Sequence, residues 1–212
     1  MEAIGPCSSL EEYHVASIRL ILDLIIRDEI YTQQAVDAYL IHRFLLDLVP
    51  SILSPTTQGS RRFYLIHADD KGDHILVDDD FNITGIIDWE WAYTTSEALA
   101  FNSPIVLLPA GEFYNGVNDL GEYEITFAQL LEEKGSPDLA DFVRKGRLQH
   151  RFAFCCGYDF ADWAGFLGLF RGLRDAVGVD EGLDWDSWKT AALNRYKDDE
   201  RLQILLSRAE QM

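Results

Sequence analysis

The sequence predicts an α+β fold, mostly α, with a small β-hairpin element set between helices. Three observations predict it. Val15, Ile18, Leu22 and Ile25 recur at helical spacing near the start of the chain. Short β-branched and aromatic runs replace that pattern over 63–66, 75–77 and 83–87. Helical spacing then returns from Pro137 onward. All 212 residues read as a single domain, and a hydrophobic content of 48% is enough for a sizeable core.

The elements follow in order. Ser8 and Ser9 each stand three residues before a glutamate, which is capping-box spacing, and predict a helix over 10–28. A second helix begins near Thr32 with Val36, Tyr39, Leu40, Phe44 and Leu48 as its apolar stripe, and Pro50 is expected to end it. Residues 51–62 are rich in Ser, Thr, Pro and Gly and read as a loop. Asp78 to Asn82 reads as a hairpin turn between the second and third β runs. The stretch 102–124 reads as irregular. Ser136 and Pro137 then open a helix, Gly157 interrupts a long helical pattern, and further helices are expected over 159–173, over 185–197 and toward the end of the chain. Gly165, Gly168 and Gly172 lie in a helical pattern and read as close helix packing. Trp163, Trp185 and Trp188 read as core, and Trp89 and Trp91 as core or cleft wall.

The net charge is −18. Such a chain has no broad positive surface for a phosphate backbone, which argues against nucleic acid, and anionic membranes are disfavoured for the same reason. A cationic small molecule or a metal ion would be attracted, although charge of this kind most often serves solubility. Cys7, Cys155 and Cys156 show no metal-type spacing and read as reduced thiols. Met1 is followed by Glu2 and no signal-like run, and Arg19 and Asp23 interrupt the most apolar stretch. A soluble cytoplasmic protein is the expectation.

The chemistry-bearing segment runs from His67 through Asp69, Asp73 and His74 to Asp88-Trp89-Glu90-Trp91. Asp69 follows one β run and Asp88 ends another, expected to lie in the same small sheet. Strand ends are good places to bring two carboxylates into one cleft, where they could hold a divalent cation or take a proton. An acid set between apolar residues and Trp89 also needs a partner to be tolerated. His67 on its own reads as a packed histidine bonded to backbone. Asp73 reads as solvated, as does the turn Asp78-Asp79-Asp80.

Taken together, these residues resemble the aminoglycoside phosphotransferase family. His67-Ala68-Asp69 is similar to the His-x-Asp of a kinase catalytic loop. Position 74 falls five residues after Asp69, where such loops carry a metal-binding Asn. Gly85-Ile86-Ile87-Asp88-Trp89-Glu90-Trp91-Ala92 looks like the second metal motif of fungal members. The resemblance covers about residues 9–200 and implies a protein-kinase-like C-terminal lobe. It implies that Asp69 orients the acceptor hydroxyl and takes its proton. It further implies that Asp88 ligates the metal bridging the ATP phosphates, that position 74 ligates the same or a second metal, and that His67 is structural.

Two departures stand out. Position 74 is His, which suits Mn²⁺ or Zn²⁺ better than Mg²⁺. No Lys precedes Lys71 and no Gly lies between Gly5 and Gly59, so no Gly-rich phosphate loop leads into the motif, and helices are predicted where that family has its ATP-clamping lobe. Three functions are therefore weighed. The first is ATP- and Mg²⁺- or Mn²⁺-dependent phosphoryl transfer to a small hydroxylated, cationic metabolite. The second is a non-catalytic, pseudokinase-like binding module, or an incomplete enzyme, pairing as a homo- or hetero-oligomer over the face left by the absent lobe. The third is a metal-dependent hydrolase built from His67, Asp69, Asp73, His74 and Asp88.

Overall fold

A computed structural model describes residues 7–53, 62–67, 71–157 and 162–210. Helix α1 (Leu10–Ile26) starts where expected, with Ser9 Oγ accepting from the Glu12 N–H at 3.0 Å. The Glu12 carboxylate accepts in turn from the backbone and hydroxyl of Ser8. The helix ends two residues before the predicted limit because Asp28 turns left-handed (φ 61°) and the Glu29 N–H bonds back to the Leu24 carbonyl.

After a 3₁₀ turn (Thr32–Gln34), helix α2 (Ala35–Leu53) runs through Pro50 rather than stopping at it. Pro50 sits in the last turn, so its ring removes one ladder bond, while Ile52 and Leu53 just beyond it are buried in the core. The expected stripe on α2 is too narrow. Ala38, Ile41, His42, Leu45 and Val49 are buried as well, so this helix is enclosed by others.

The β region forms two separate antiparallel pairs. β1 (Tyr64–Ile66) pairs with β4 (Tyr93–Thr95), and β2 (Ile75–Val77) pairs with β3 (Ile83–Ile86). A 3₁₀ turn (Trp89–Trp91) links β3 to β4. The strands before Asp69 and before Asp88 thus belong to different sheets, contrary to expectation, because β1 finds its partner in the later strand β4, which sequence periodicity did not mark.

The stretch 102–124 is more ordered than expected. After α3 (Glu97–Ala100) come a 3₁₀ turn (Ile105–Leu107) and α4 (Ala110–Tyr114). Then α5 (Glu122–Glu133) forms, held at its start by Glu124, whose carboxylate accepts the Gly121 N–H at 2.8 Å. Helices α6 (Pro137–Lys145), α7 (Arg147–Gly157), α8 (Trp163–Val177), α9 (Trp185–Arg195) and α10 (Glu200–Ala209) follow. The predicted start of the eighth helix, before 162, lies outside the described residues.

The main core is helical. It joins α1, α2, α4 and α7 to α10, with Phe44, Phe170 and Trp188 in edge-on contact at its centre. Trp188 is fully buried, and Trp163 and Trp185 pack against this core as expected. A second small cluster, Ala128, Ala140 and Val143, joins α5 to α6. Cys155 is buried and unbridged, and burial pushes its thiol and that of Cys156 up, the latter to about 12, so neither is a nucleophile at neutral pH. No helix among the described residues is long and apolar enough to cross a membrane.

Gly168 and Gly172 of α8 show the close packing expected of them. A Cβ on Gly168 would lie 1.9 Å from the Tyr114 carbonyl oxygen, and one on Gly172 would lie 2.6 Å from the Arg151 guanidinium carbon. Gly165 serves instead at the start of the helix, its N–H donating to Asp162.

Buried arginines fasten the loop after α4. Arg151 donates to the Phe113 and Val117 carbonyls and to Asn118 Oδ1. Arg147 donates to the Asp119 carbonyl and to the buried Glu124 carboxylate, 2.5 Å away.

Burial pulls His14, His42 and His150 down to about 4, with the nearby Arg147 charge adding to the effect on His150. The ordinary value in an unfolded chain is near 6.5. On acidification the unfolded chain therefore takes up protons on these three groups that the folded chain refuses. Their contribution to stability is complete above about pH 6.5 and is lost as pH falls from there toward 4. The slope of unfolding free energy against pH is expected to be positive in that window, approaching roughly 1.4 kcal/mol per pH unit for each histidine. Urea melts at about pH 6.5 and about pH 4.5 check this; an unchanged midpoint would contradict it.

Candidate functional site

The site is assembled from the ends of β1 and β3 and the loop leading into β2. Gly72 shapes that loop. It takes φ +88°, and a Cβ there would lie 2.9 Å from Val106 Cγ2, so the 3₁₀ turn at Ile105–Leu107 backs the loop closely. The Gly72 carbonyl accepts from the Ile75 N–H, which leads the chain into β2.

His67 follows β1 directly, and its Nε2 donates to the Ile87 carbonyl at 2.8 Å. A carbonyl only accepts, so this nitrogen carries the proton. The His74 ring stacks on His67, with centroids 4.0 Å apart and planes 13° apart. The Trp89 ring meets His67 edge-on at 5.1 Å, and its indole N–H donates to the Ile86 carbonyl. The backbone closes the arrangement, since the Ile87 N–H donates to the His74 carbonyl at 3.0 Å. His67 thus ties the strand that enters the His-x-Asp segment to the residue before Asp88, bridging the two sheets.

Of the residues singled out in the sequence, His67 and His74 meet in this knot, and Asp88 lies in the chain between Ile87 and Trp89, which both take part in it. Asp69 lies outside the described residues. Asp73 is exposed, with Oδ1 3.9 Å from His74 Nδ1. Asp88 takes the left-handed conformation (φ 62°, ψ 42°) at the strand exit, unusual for a residue other than glycine. Its side chain is exposed rather than enclosed by apolar neighbours, so water offsets the desolvation cost that burial would have imposed. His74 is buried at 5% exposure. Trp91, at 67%, is not part of the core. The Asp78 carboxylate accepts from the Asp80 and Asn82 N–H groups and the Asn82 side chain, as a solvated turn should; the bonds from Asn82 hold it below its usual range.

Among the described residues no group of three His, Cys, Asp or Glu side chains is placed to hold a metal. A cavity of 320 Å³ lies elsewhere, between α3, α6 and α7, lined by Ala98, Asp138, Asp141 and Lys145 among others and by none of the motif residues. Sequence reasoning missed Trp89 as a support for His67 and the Ile87 carbonyl as its anchor. The Trp directly after Asp88 was the available signal for the first; the second is a backbone group and leaves none. No family model, curated protein or solved structure matches the chain.

Proposed function

We propose that this chain is a kinase-like lobe of the aminoglycoside-phosphotransferase type. It transfers the γ-phosphoryl group of ATP to a hydroxyl of a small, amine-bearing metabolite. The supporting observation is the bond from His67 to the Ile87 carbonyl, which draws the approach to Asp69 and the exit to Asp88 together across two sheets. In this reading Asp69 accepts the proton of the acceptor hydroxyl as its oxygen bonds to phosphorus and the bond to the leaving ADP oxygen breaks.

The residues fit a hard cation in part. Asp88 offers an exposed carboxylate oxygen, as Mg²⁺ prefers, whereas the His74 ring is buried against His67. The reading therefore rests on Asp88 as the metal ligand and gives His74 the work of holding His67 in place. A bound Mg²⁺ or Mn²⁺ would neutralise the ATP phosphates. The acidic surface favours a cationic acceptor.

A binding module without turnover is the second reading, favoured by the exposed apolar side chains of the β region. Calorimetric titration with ATP, in Mg²⁺ and then in Mn²⁺, separates the two. Metal-dependent binding that Asp88→Asn abolishes is the expected result. A folded protein that binds no nucleotide with either metal would overturn phosphoryl transfer by this chain, and Zn²⁺ binding without nucleotide would point to hydrolysis instead.

A further inference from the structure

The described chain leaves twenty large apolar side chains exposed, and eleven of them fall within 63–93. No described side chain of this segment belongs to either buried core cluster. Surface hydrophobics scattered singly need no explanation, but a concentration of this kind does.

The β2–β3 hairpin shows the pattern most clearly. Ile75 stands opposite Ile86 and Val77 opposite Ile83, so the cross-strand positions are apolar on both strands. Val77, Ile83 and Ile86 are nonetheless exposed. A hairpin that faced only water would carry polar residues at such paired positions. At its tip Phe81 is 86% exposed in a left-handed backbone (φ 61°), a conformation that costs an aromatic residue more than Asn or Gly. The Phe81 N–H to the Asp78 carbonyl and the Asn82 N–H to the Asp78 carboxylate hold this turn, while the ring itself stands in solvent.

The electrostatics narrow the choice of occupant. Between residues 62 and 95 the described chain carries six exposed carboxylates, Asp73, Asp78, Asp79, Asp80, Asp88 and Glu90, against two cations, Arg62 and Lys71. A second copy would bring acid against acid. An anionic membrane would be repelled likewise. We infer that the β2–β3 hairpin, led by Phe81, is the docking surface for a protein partner whose apolar contact residues are bordered by lysine and arginine. This deepens the binding-module reading by stating its partner's chemistry. It does not require phosphoryl transfer. The apolar pairs supply contact area and the acidic turn sets orientation and rejects like-charged surfaces.

The test uses a synthetic peptide of alternating leucine and lysine as probe, a leucine–glutamate peptide as its counterpart, and phosphatidylcholine vesicles. Phe81→Asn suits the left-handed backbone and so keeps the turn. Asp79→Lys with Asp80→Lys reverses the rim. Glu132→Gln with Glu133→Gln on α5 removes charge away from the hairpin. The expected result is binding of the lysine peptide that weakens roughly tenfold in each hairpin variant and is unchanged in the α5 variant. ATP titration of Phe81→Asn is expected to match wild type, which separates failure of this surface from failure of the nucleotide site. Equal lysine-peptide binding by all variants, equal binding of the glutamate peptide, capture by the vesicles, or a dimer that Phe81→Asn dissolves would each overturn the proposal.

Discussion

Replacing Arg151 with methionine is expected to cost about 3–5 kcal/mol of stability, as does removing one partner from a buried charged network. The side chain is fully buried, its guanidinium lies 4.2 Å from the centre of the Phe113 ring, and it donates to two carbonyls and one side-chain amide of residues 113–118. Burial and the neighbouring Arg147 charge lower its pKa to about 10, so it stays charged at neutral pH. Methionine fills much of the volume but takes the donor from the Val117 carbonyl and Asn118 Oδ1, leaving the Phe113 carbonyl with the Gly116 N–H alone, and each buried unsatisfied acceptor costs roughly 1–3 kcal/mol. Arg151→Lys is expected to rescue little, since a single ammonium does not span the three acceptors that the planar fork reaches. Urea denaturation measures both. A loss under about 1 kcal/mol for methionine would mean that water reaches these carbonyls after the substitution.

Gly168→Ala is expected to be nearly as damaging, at roughly 2–4 kcal/mol, although alanine is the better helix former. The added carbon would lie 1.9 Å from the Tyr114 carbonyl oxygen, a backbone atom with no side-chain rotation to relieve the clash. Helix α4 or the first half of α8 must shift, and Arg151 and Arg171, which donate to carbonyls on either side of that contact, lose their geometry. Gly157→Ala is the control. It ends α7 with open space around it, so there the same substitution is expected to be neutral or stabilising by a few tenths of a kcal/mol. Thermal melts of the two variants side by side decide the matter; equal melting temperatures would show that α8 has room to move.

What was legible in the sequence follows the strength of the local signal. Helix α1, with its serine cap and regular Ile18, Leu22 and Ile25, could be read directly, as could the turn held by Asp78 and Asn82. Helix α5 could not, because its buried positions are few, Glu124 and Ala128, and one of them is an acid whose charge is met by the distant Arg147. Strand β4 was hidden since its pairing with β1 is set by tertiary contact across about thirty residues. Pro50 misled because a rule about local backbone preference was outweighed by the burial of Ile52 and Leu53. At the site, the resemblance pointed to His67, Asp69, His74 and Asp88; the fold stacks His67 on His74 and bonds His67 to the residue before Asp88. The exposed state of Asp88 was not legible, because an apolar neighbourhood in sequence is not an apolar neighbourhood in space.

The position of α2 at the centre of the core has a consequence for biosynthesis. Its late partners are α9 and α10. Tyr39 donates to Asp199, Tyr196 donates to Asp47, and Asp23 of the adjoining α1 pairs with Arg201. A ribosome adding roughly 5–20 residues per second emits the apolar faces of α2 many seconds before residue 199 exists to meet them. Until then α2 is covered only by those elements of the core already made, α1 first and later α4, α7 and α8. Completion of the core thus waits on residues 196–201, and the earlier chain is a natural client for chaperones that bind exposed apolar helices.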